Sequence, residues 1–317
     1  MEKKNSYRYT FGPVPSRRLG RSLGVDLVPF KTCTYDCIYC QLGRTTCKTM
    51  ERKMYAPVSK ILAEVESRVK VENPPDYITL SGSGEPTLHS DIGGIIAGIR
   101  KITRIPIAVL TNGSLLASEA VRGALMDADV VVPSLDAGDD AMFQRVNRPH
   151  PDINFAAMVS GLEQFCQSYR GEVWLEIFLL GKLTANDVEV AKIAQRVKHI
   201  FFASVQLNTV ARPPAEDHAY PAPLEQLERY CDFFFPRAEV IAEPAAASLN
   251  DASYESSAKE VLALLQRRPC SLQDVTKGLA IHPAQASKHI EALLKQGAVR
   301  RIKSGSNSFY KANPPGN

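Results

Sequence analysis

No apolar run in the 317-residue chain approaches the ~18 residues of a membrane-spanning helix; the longest candidate stretches, 92–99 and 173–180 (the second interrupted by Glu176), have eight residues each. The first residues, MEKKNSYRYTF, carry basic side chains with no apolar core behind them, so no signal peptide is expected and a cytoplasmic location is. Internal repeats and low-complexity segments are absent from the sequence. With 44% hydrophobic and 23% charged residues, the composition excludes disordered and fibrous classes. In a reducing compartment the seven cysteines are candidates for metal binding rather than for disulfides.

The net charge of +4 is small but unevenly placed. Residues 1–60 hold 12 Lys/Arg against 4 Asp/Glu, and residues 257–317 hold 10 against 3. Residues 61–256 hold 16 against 27, so two basic ends flank an acidic middle. Such asymmetry points to an anionic partner, although solvated charged faces produce the same counts.

From residue 20 to about 245, β-rich runs alternate with helical patterns. Strands are predicted at 23–28, 77–80, 107–111, 130–134, 173–180 and 204–210. Helices are predicted at 58–69, 115–124, 155–169, 186–198 and 224–234, the first with Ile61, Leu62, Val65 and Val69 on one face. Repeated strand–helix units imply a parallel sheet with right-handed crossovers, as a partial barrel or an open doubly wound sheet. In both, ligands bind at the carboxyl ends of the strands.

The small polar stretch PAAASLNDAS divides the chain into an α/β domain at 1–245, a linker at 246–256 and a C-terminal domain at 257–312. The last contains helical patterns at 257–267, 272–279 and 283–296. Two short strands about Gly305 follow, which together make a winged helix-turn-helix. Pro283 suits the first turn of the third helix and Gly297 ends it; the tail after Asn313 is expected to fray. The third helix offers Gln285, Ser287, Lys288 and His289 to a groove, and the wing offers Arg300, Arg301, Lys303 and Lys311 to phosphates. The same fold also binds proteins or forms dimers.

The most specific feature is Cys33-Thr-Tyr-Asp-Cys37-Ile-Tyr-Cys40, directly after the first predicted strand. Three thiolates on one loop can converge on a metal centre. Iron–sulfur clusters normally take four, so three would leave one iron open to a small molecule. The competing reading is a zinc site completed by Cys47 or a histidine. The other cysteines, Cys166, Cys231 and Cys270, lie in or beside helical patterns and read as buried apolar residues.

This CxxxCxxC motif, with Tyr39 before its last cysteine, resembles the signature of the radical S-adenosylmethionine (SAM) superfamily. The resemblance implies a partial (β/α)6 TIM-like barrel. It implies a [4Fe-4S] cluster on Cys33, Cys37 and Cys40 that binds SAM and cleaves it reductively, after which a 5′-deoxyadenosyl radical abstracts hydrogen from substrate. Ser81-Gly82-Ser83-Gly84-Glu85-Pro86 resembles the family's glycine–glutamate–proline motif for the SAM amine, with Ser83 where a second adjacent glycine is usual. By the same resemblance, Asn112 after the third strand, and Ser134 and Asp136 after the fourth, face the ribose and carboxylate of SAM. Glu176 falls on the adenine side, while Gln206 and Asn208 face substrate.

The segments 11–24 and 40–46 resemble radical SAM proteins similar to wybutosine-synthesis enzymes, which remodel a guanosine of tRNA. No flavodoxin-like segment is present in this sequence, so an external one-electron donor of flavodoxin or ferredoxin type is implied. Arg17, Arg18, Arg21, Arg44, Arg52 and Lys53 flank the cysteine loop, where they could clamp a phosphate or carboxylate or form salt bridges. Residues 147–150 read as a substrate-side loop. The leading expectation is a radical SAM enzyme that modifies a macromolecule, with tRNA as first choice of an unidentified substrate. The alternatives are one acting on a peptide, protein or small molecule, and an iron–sulfur or SAM-sensing transcription regulator.

Overall fold

The computed structural model describes residues 8–241, 258–279, 281, 283–304 and 307–313. The predicted linker at 246–256, the turn at Gly305 and the tail beyond Asn313 lie outside the described residues. Strands and helices are numbered along the chain. The main sheet contains β1 (Thr10–Ser16), β2 (Gly20–Val25), β5 (Tyr77–Leu80), β6 (Ile107–Thr111), β7 (Val130–Pro133), β8 (Glu172–Phe178), β10 (Ser204–Asn208) and β12 (Glu239–Val240). Two-residue strands pair outside it: β3 (Thr32–Cys33) with β4 (Cys47–Lys48), and β9 (Leu180–Gly181) with β11 (Tyr220–Pro221).

The sheet order is β1-β2-β5-β6-β7-β8-β10-β12; β1 runs antiparallel to β2 and every other pair is parallel. Its edges, β1 and β12, do not pair with each other, so the architecture is an incomplete, TIM-like barrel. Strand β7 is buried at all four positions, as a parallel strand covered on both faces must be. The crossovers carry α1 (Val58–Val69), α2 (Ile92–Ile102), α3 (Glu119–Ala124), α4 (Asp140–Val146), α5 (Phe155–Ser168), α6 (Asp187–Val197) and α7 (Leu224–Tyr230). Helix α2 shows the logic: Ile92, Ile95, Ile96 and Ile99 form one fully buried stripe, and Asp91 caps it by accepting from the Gly94 N–H at 3.2 Å.

Three elements depart from the sequence expectation. Strand β1 contains Pro13 and Pro15, which argue against a central strand; it occupies the sheet edge, with a bulge between Phe11 and Val14. Helix α3 begins only at Glu119, because residues 115–118 turn tightly after Gly113. Helix α4 was not anticipated; Asp139 caps it by accepting from the Met142 N–H at 2.9 Å.

The C-terminal residues form α8 (Ala258–Arg267), α9 (Leu272–Leu279), α10 (Pro283–Lys295) and an antiparallel hairpin of β13 (Val299–Ser304) and β14 (Asn307–Ala312). Their core, including Val261, Leu265, Ile290 and Val299, also takes in Val14 of β1. Among the described residues two ion pairs join this unit to the barrel: Arg267–Asp26 at 2.9 Å and Arg212–Asp274 at 3.0 Å. On α10, Lys288 is exposed while Gln285, Ser287 and His289 are half-buried; on the hairpin Arg300, Arg301 and Lys303 are exposed.

Candidate functional site

A cavity of about 420 Å³ opens at the carboxyl ends of the parallel strands. Cys33, Cys37 and Cys40 all line it, together with Tyr39, Gly82, Gly84, Glu85, Asn112, Ser134 and Glu176. Of the positions predicted from sequence to face SAM or substrate, Pro86, Asp136 and Gln206 do not reach it; Gln206 lies buried behind Arg18. Pro86 starts a short 3-10 turn, Pro86–Leu88, that seats Glu85, and Asp136 lies buried behind Tyr39.

The cysteine loop is held by the chain around it. The Asp36 N–H donates to the Asn147 carbonyl at 3.0 Å, the Ile38 N–H to Val146 at 3.0 Å, and the His150 N–H to Thr34 at 2.8 Å. Residues 147–150, expected on the substrate side, therefore brace the cysteine loop. The Asn112 amide donates to the Cys33 sulfur and the Asn147 amide to the Cys37 sulfur, each at 3.5 Å. Burial pushes the Cys33 thiol up to about 12 and raises Cys37 and Cys40 as well, so loading a metal must expel protons. Cys47 is exposed beside this loop and does not line the cavity.

Tyr39 stacks on Phe178 with ring centroids 4.0 Å apart, and its hydroxyl donates to Asp136. Asp136 also accepts from the Asn147 amide at 2.7 Å and the Phe178 N–H at 2.9 Å. Burial pushes this carboxyl up to about 6 against the pull of those three donors. Asp136 thus orients Tyr39 and Asn147, which themselves border the thiols.

Glu85 is the second buried carboxylate. Oε1 accepts from the Thr87 N–H at 3.1 Å, the Thr87 hydroxyl and the Thr111 hydroxyl at 2.7 Å; among the described residues Oε2 accepts only from the Asn112 N–H, at 2.8 Å. Oε2 retains a lone pair for a further donor. Glycine is required beside it. A Cβ on Gly84 would stand 1.8 Å from the Thr32 carbonyl oxygen, and Gly82 has φ 122 with Asp26 in the way.

The other wall is basic. Arg18 pairs with Glu176 at 2.8 Å and donates to Gln206 at 2.8 Å, and Arg17 donates to Asn208 at 2.8 Å. Burial pushes Glu176 up, but Arg18 and the Asn208 amide outweigh it and hold the carboxyl below its ordinary value. The remaining arginines near the cysteine loop are structural: Arg44 pairs with Asp36 and Glu216, Arg21 reaches the carbonyls of Asn73 and Pro74, and Arg52 reaches three carbonyls at 87–90. Lys53 pairs with Glu51. Sequence reasoning missed Asn147 and Phe178 as supports, and Arg267 and Arg268 as wall residues, because their partners are remote along the chain.

The three thiols, all on one loop and all bordering the cavity, fit the thiolate donor set of an iron–sulfur cluster. Thiolates that attach to different irons of one cluster need only border the same space, and these three do.

The sequence pattern of the Radical SAM superfamily matches residues 27–194, which span the cysteine loop, the Glu85 turn and strands β5 to β8. The chain belongs to the radical SAM superfamily. This radical SAM protein is 32% identical over 311 residues to a UPF0026 protein of Methanocaldococcus jannaschii, covering 96% of this chain and 95% of that one. It is 35% identical over 303 residues to a protein of Brachyspira hyodysenteriae named GTPase Obg. The match covers 94% of this chain but only 44% of the Brachyspira protein. Among solved structures, TYW1 with a lysine–pyruvate adduct bound shares the fold at TM-score 0.51 and 14% identity, covering 72% of this chain and 76% of that chain. A radical SAM methyltransferase from Sphaerobacter thermophilus gives TM-score 0.50 at 17% identity, covering 69% and 65%. Among the described residues no helix is long and apolar enough to cross a membrane.

Proposed function

We propose that this radical SAM protein is an enzyme that cleaves SAM reductively on a [4Fe-4S] cluster held by Cys33, Cys37 and Cys40 and modifies a nucleic acid, tRNA in first place. The observation that carries the reading is that all three thiols and the buried, incompletely satisfied Glu85 open onto one cavity at the strand ends. When bound, the cluster supplies the electron that breaks a sulfur–carbon bond of SAM. The chain's own residues bind and orient. Glu85 Oε2 takes the methionyl ammonium, Gly82 and Gly84 clear the approach, and Pro86 fixes the turn beneath. Asn112 and Ser134 address the ribose and carboxylate, and Asp136 keeps Tyr39 in place against the loop. An external one-electron donor of flavodoxin or ferredoxin type completes the system.

Residues 257–312 act in this reading as a winged helix-turn-helix that docks the nucleic acid, supported by the exposed Arg300, Arg301 and Lys303 on the hairpin. The decisive experiment is anaerobic reconstitution with iron and sulfide, followed by dithionite and SAM. 5′-Deoxyadenosine is expected, and its absence with an intact cluster overturns the enzyme reading. For the substrate, filter binding of tRNA and duplex DNA across a salt series should show tighter binding of tRNA. Equal affinity for both removes the tRNA assignment.

A further inference from the structure

The cavity is lined by more guanidinium groups than there are ion pairs to hold them. Five guanidinium groups line it: Arg17, Arg18, Arg212, Arg267 and Arg268. Three have carboxylate partners, namely Arg18 with Glu176, Arg212 with Asp274 and Arg267 with Asp26, at 2.8, 3.0 and 2.9 Å. Among the described residues, neither Arg17 nor Arg268 forms an ion pair. Arg17 rests on the neutral Asn208 amide oxygen. Arg268 stands by Cys270, whose thiol burial keeps protonated. Both arginines are half-buried, where unpaired charge is costly. Burial lowers the pKa of both: at Arg17 repulsion by Arg212, Arg18 and Arg268 adds to it while Glu176 opposes it, and at Arg268 repulsion by Arg212 adds to it while Cys270 and Asp274 oppose it. A folded protein keeps such a cluster when an anion completes it.

The shape of the cluster narrows the anion. The three arginines come from three separate segments: the β1–β2 turn, the stretch after β10, and the end of α8. A planar carboxylate is satisfied by one guanidinium fork, whereas a tetrahedral phosphoryl group offers oxygens to donors from several directions.

Resting on the reading of this cavity as the active site, we infer that Arg17, Arg212 and Arg268 form a subsite for a phosphoryl group of the substrate. The C-terminal unit is thereby part of the substrate chamber, since Arg268 follows directly on α8.

The test titrates inorganic phosphate into the full-length protein by calorimetry at constant ionic strength, with malonate as the carboxylate comparison. Saturable binding is expected, at least about tenfold tighter for phosphate than for malonate. R17Q and R268Q should each weaken phosphate about tenfold. R17K and R268K, which keep the charge and lose the fork, should weaken it less, and the exposed, distant R170Q should not. Melting curves without ligand verify that each variant is folded. Unchanged binding in folded R17Q and R268Q overturns the subsite, as does malonate matching phosphate. A parallel tenfold loss of SAM affinity in both variants also overturns it, because the arginines would then hold the SAM carboxylate. The titration needs neither cluster nor SAM, so it stands or fails separately from 5′-deoxyadenosine formation.

Discussion

Arg267, at the last turn of α8, donates from Nε to Asp26 at 2.9 Å, across 241 residues of sequence. The other oxygen of Asp26 accepts from the Ser83 N–H at 2.7 Å, between Gly82 and Gly84. The guanidinium also lies over the Phe11 ring, 4.5 Å from its centroid. One side chain therefore couples the C-terminal unit to the loop that carries Glu85.

Removing one partner of such a buried pair leaves the other charge uncompensated. R267Q is expected to cost about 3–5 kcal/mol and to loosen the Gly82–Gly84 loop. Denaturant unfolding measures the first effect and SAM affinity of the reconstituted protein the second. A loss below about 1 kcal/mol would show the contact to be a surface pair.

Alanine at Cys33, Cys37 or Cys40 should each abolish the visible absorbance of the reconstituted cluster and its iron content. Alanine at Cys47, exposed and outside the cavity, should leave both intact. Loss of iron in C47A would mean a fourth protein ligand.

G84A forces a Cβ to within 1.8 Å of the Thr32 carbonyl, a backbone atom that cannot swing aside. That carbonyl also accepts the Glu85 N–H at 3.1 Å, and Thr32 adjoins Cys33. Destabilisation of about 3 kcal/mol is expected, with reduced cluster occupancy. A melting temperature and iron content equal to wild type would refute the close approach.

Burial pushes Asp274 up, but Arg212 and the Ser271 N–H outweigh it and hold the carboxyl below its ordinary value. A depressed folded pKa favours the charged form in the folded state. The stabilisation is complete above the unfolded value of about 3.9 and is lost as pH falls through the folded one. Wild type should therefore lose more stability than D274N between roughly pH 6 and pH 3, read as melting temperature. Parallel curves would show that this pair carries no acid dependence.

The alternation of strands and helices could be read directly, because it rests on side-chain period along contiguous residues. Strands β5 and β6 and helix α1 fall where the pattern puts them. The same holds for the three thiols, whose spacing on one loop is itself the signal. Strand β1 was hidden because its prolines obscure the pattern, and an edge position tolerates them. Asp136 could be recognised as a polar group at a strand end but not as the acceptor behind Tyr39, since Asn147 and Phe178 join it only in the fold.

Local order thus decided the alternation of strands and helices, the cysteine loop and the glycine-bearing turn, all properties of neighbours in sequence. Which arginines remain unpaired, and that the C-terminal helices wall the cavity, was decided by packing. Arg44 and Arg17 look alike along the chain; one forms ion pairs with Asp36 and Glu216, and the other donates to the Asn208 amide oxygen and, among the described residues, forms no ion pair. The energy of a charge depends on what surrounds it in space, and that environment is assembled from segments far apart in sequence.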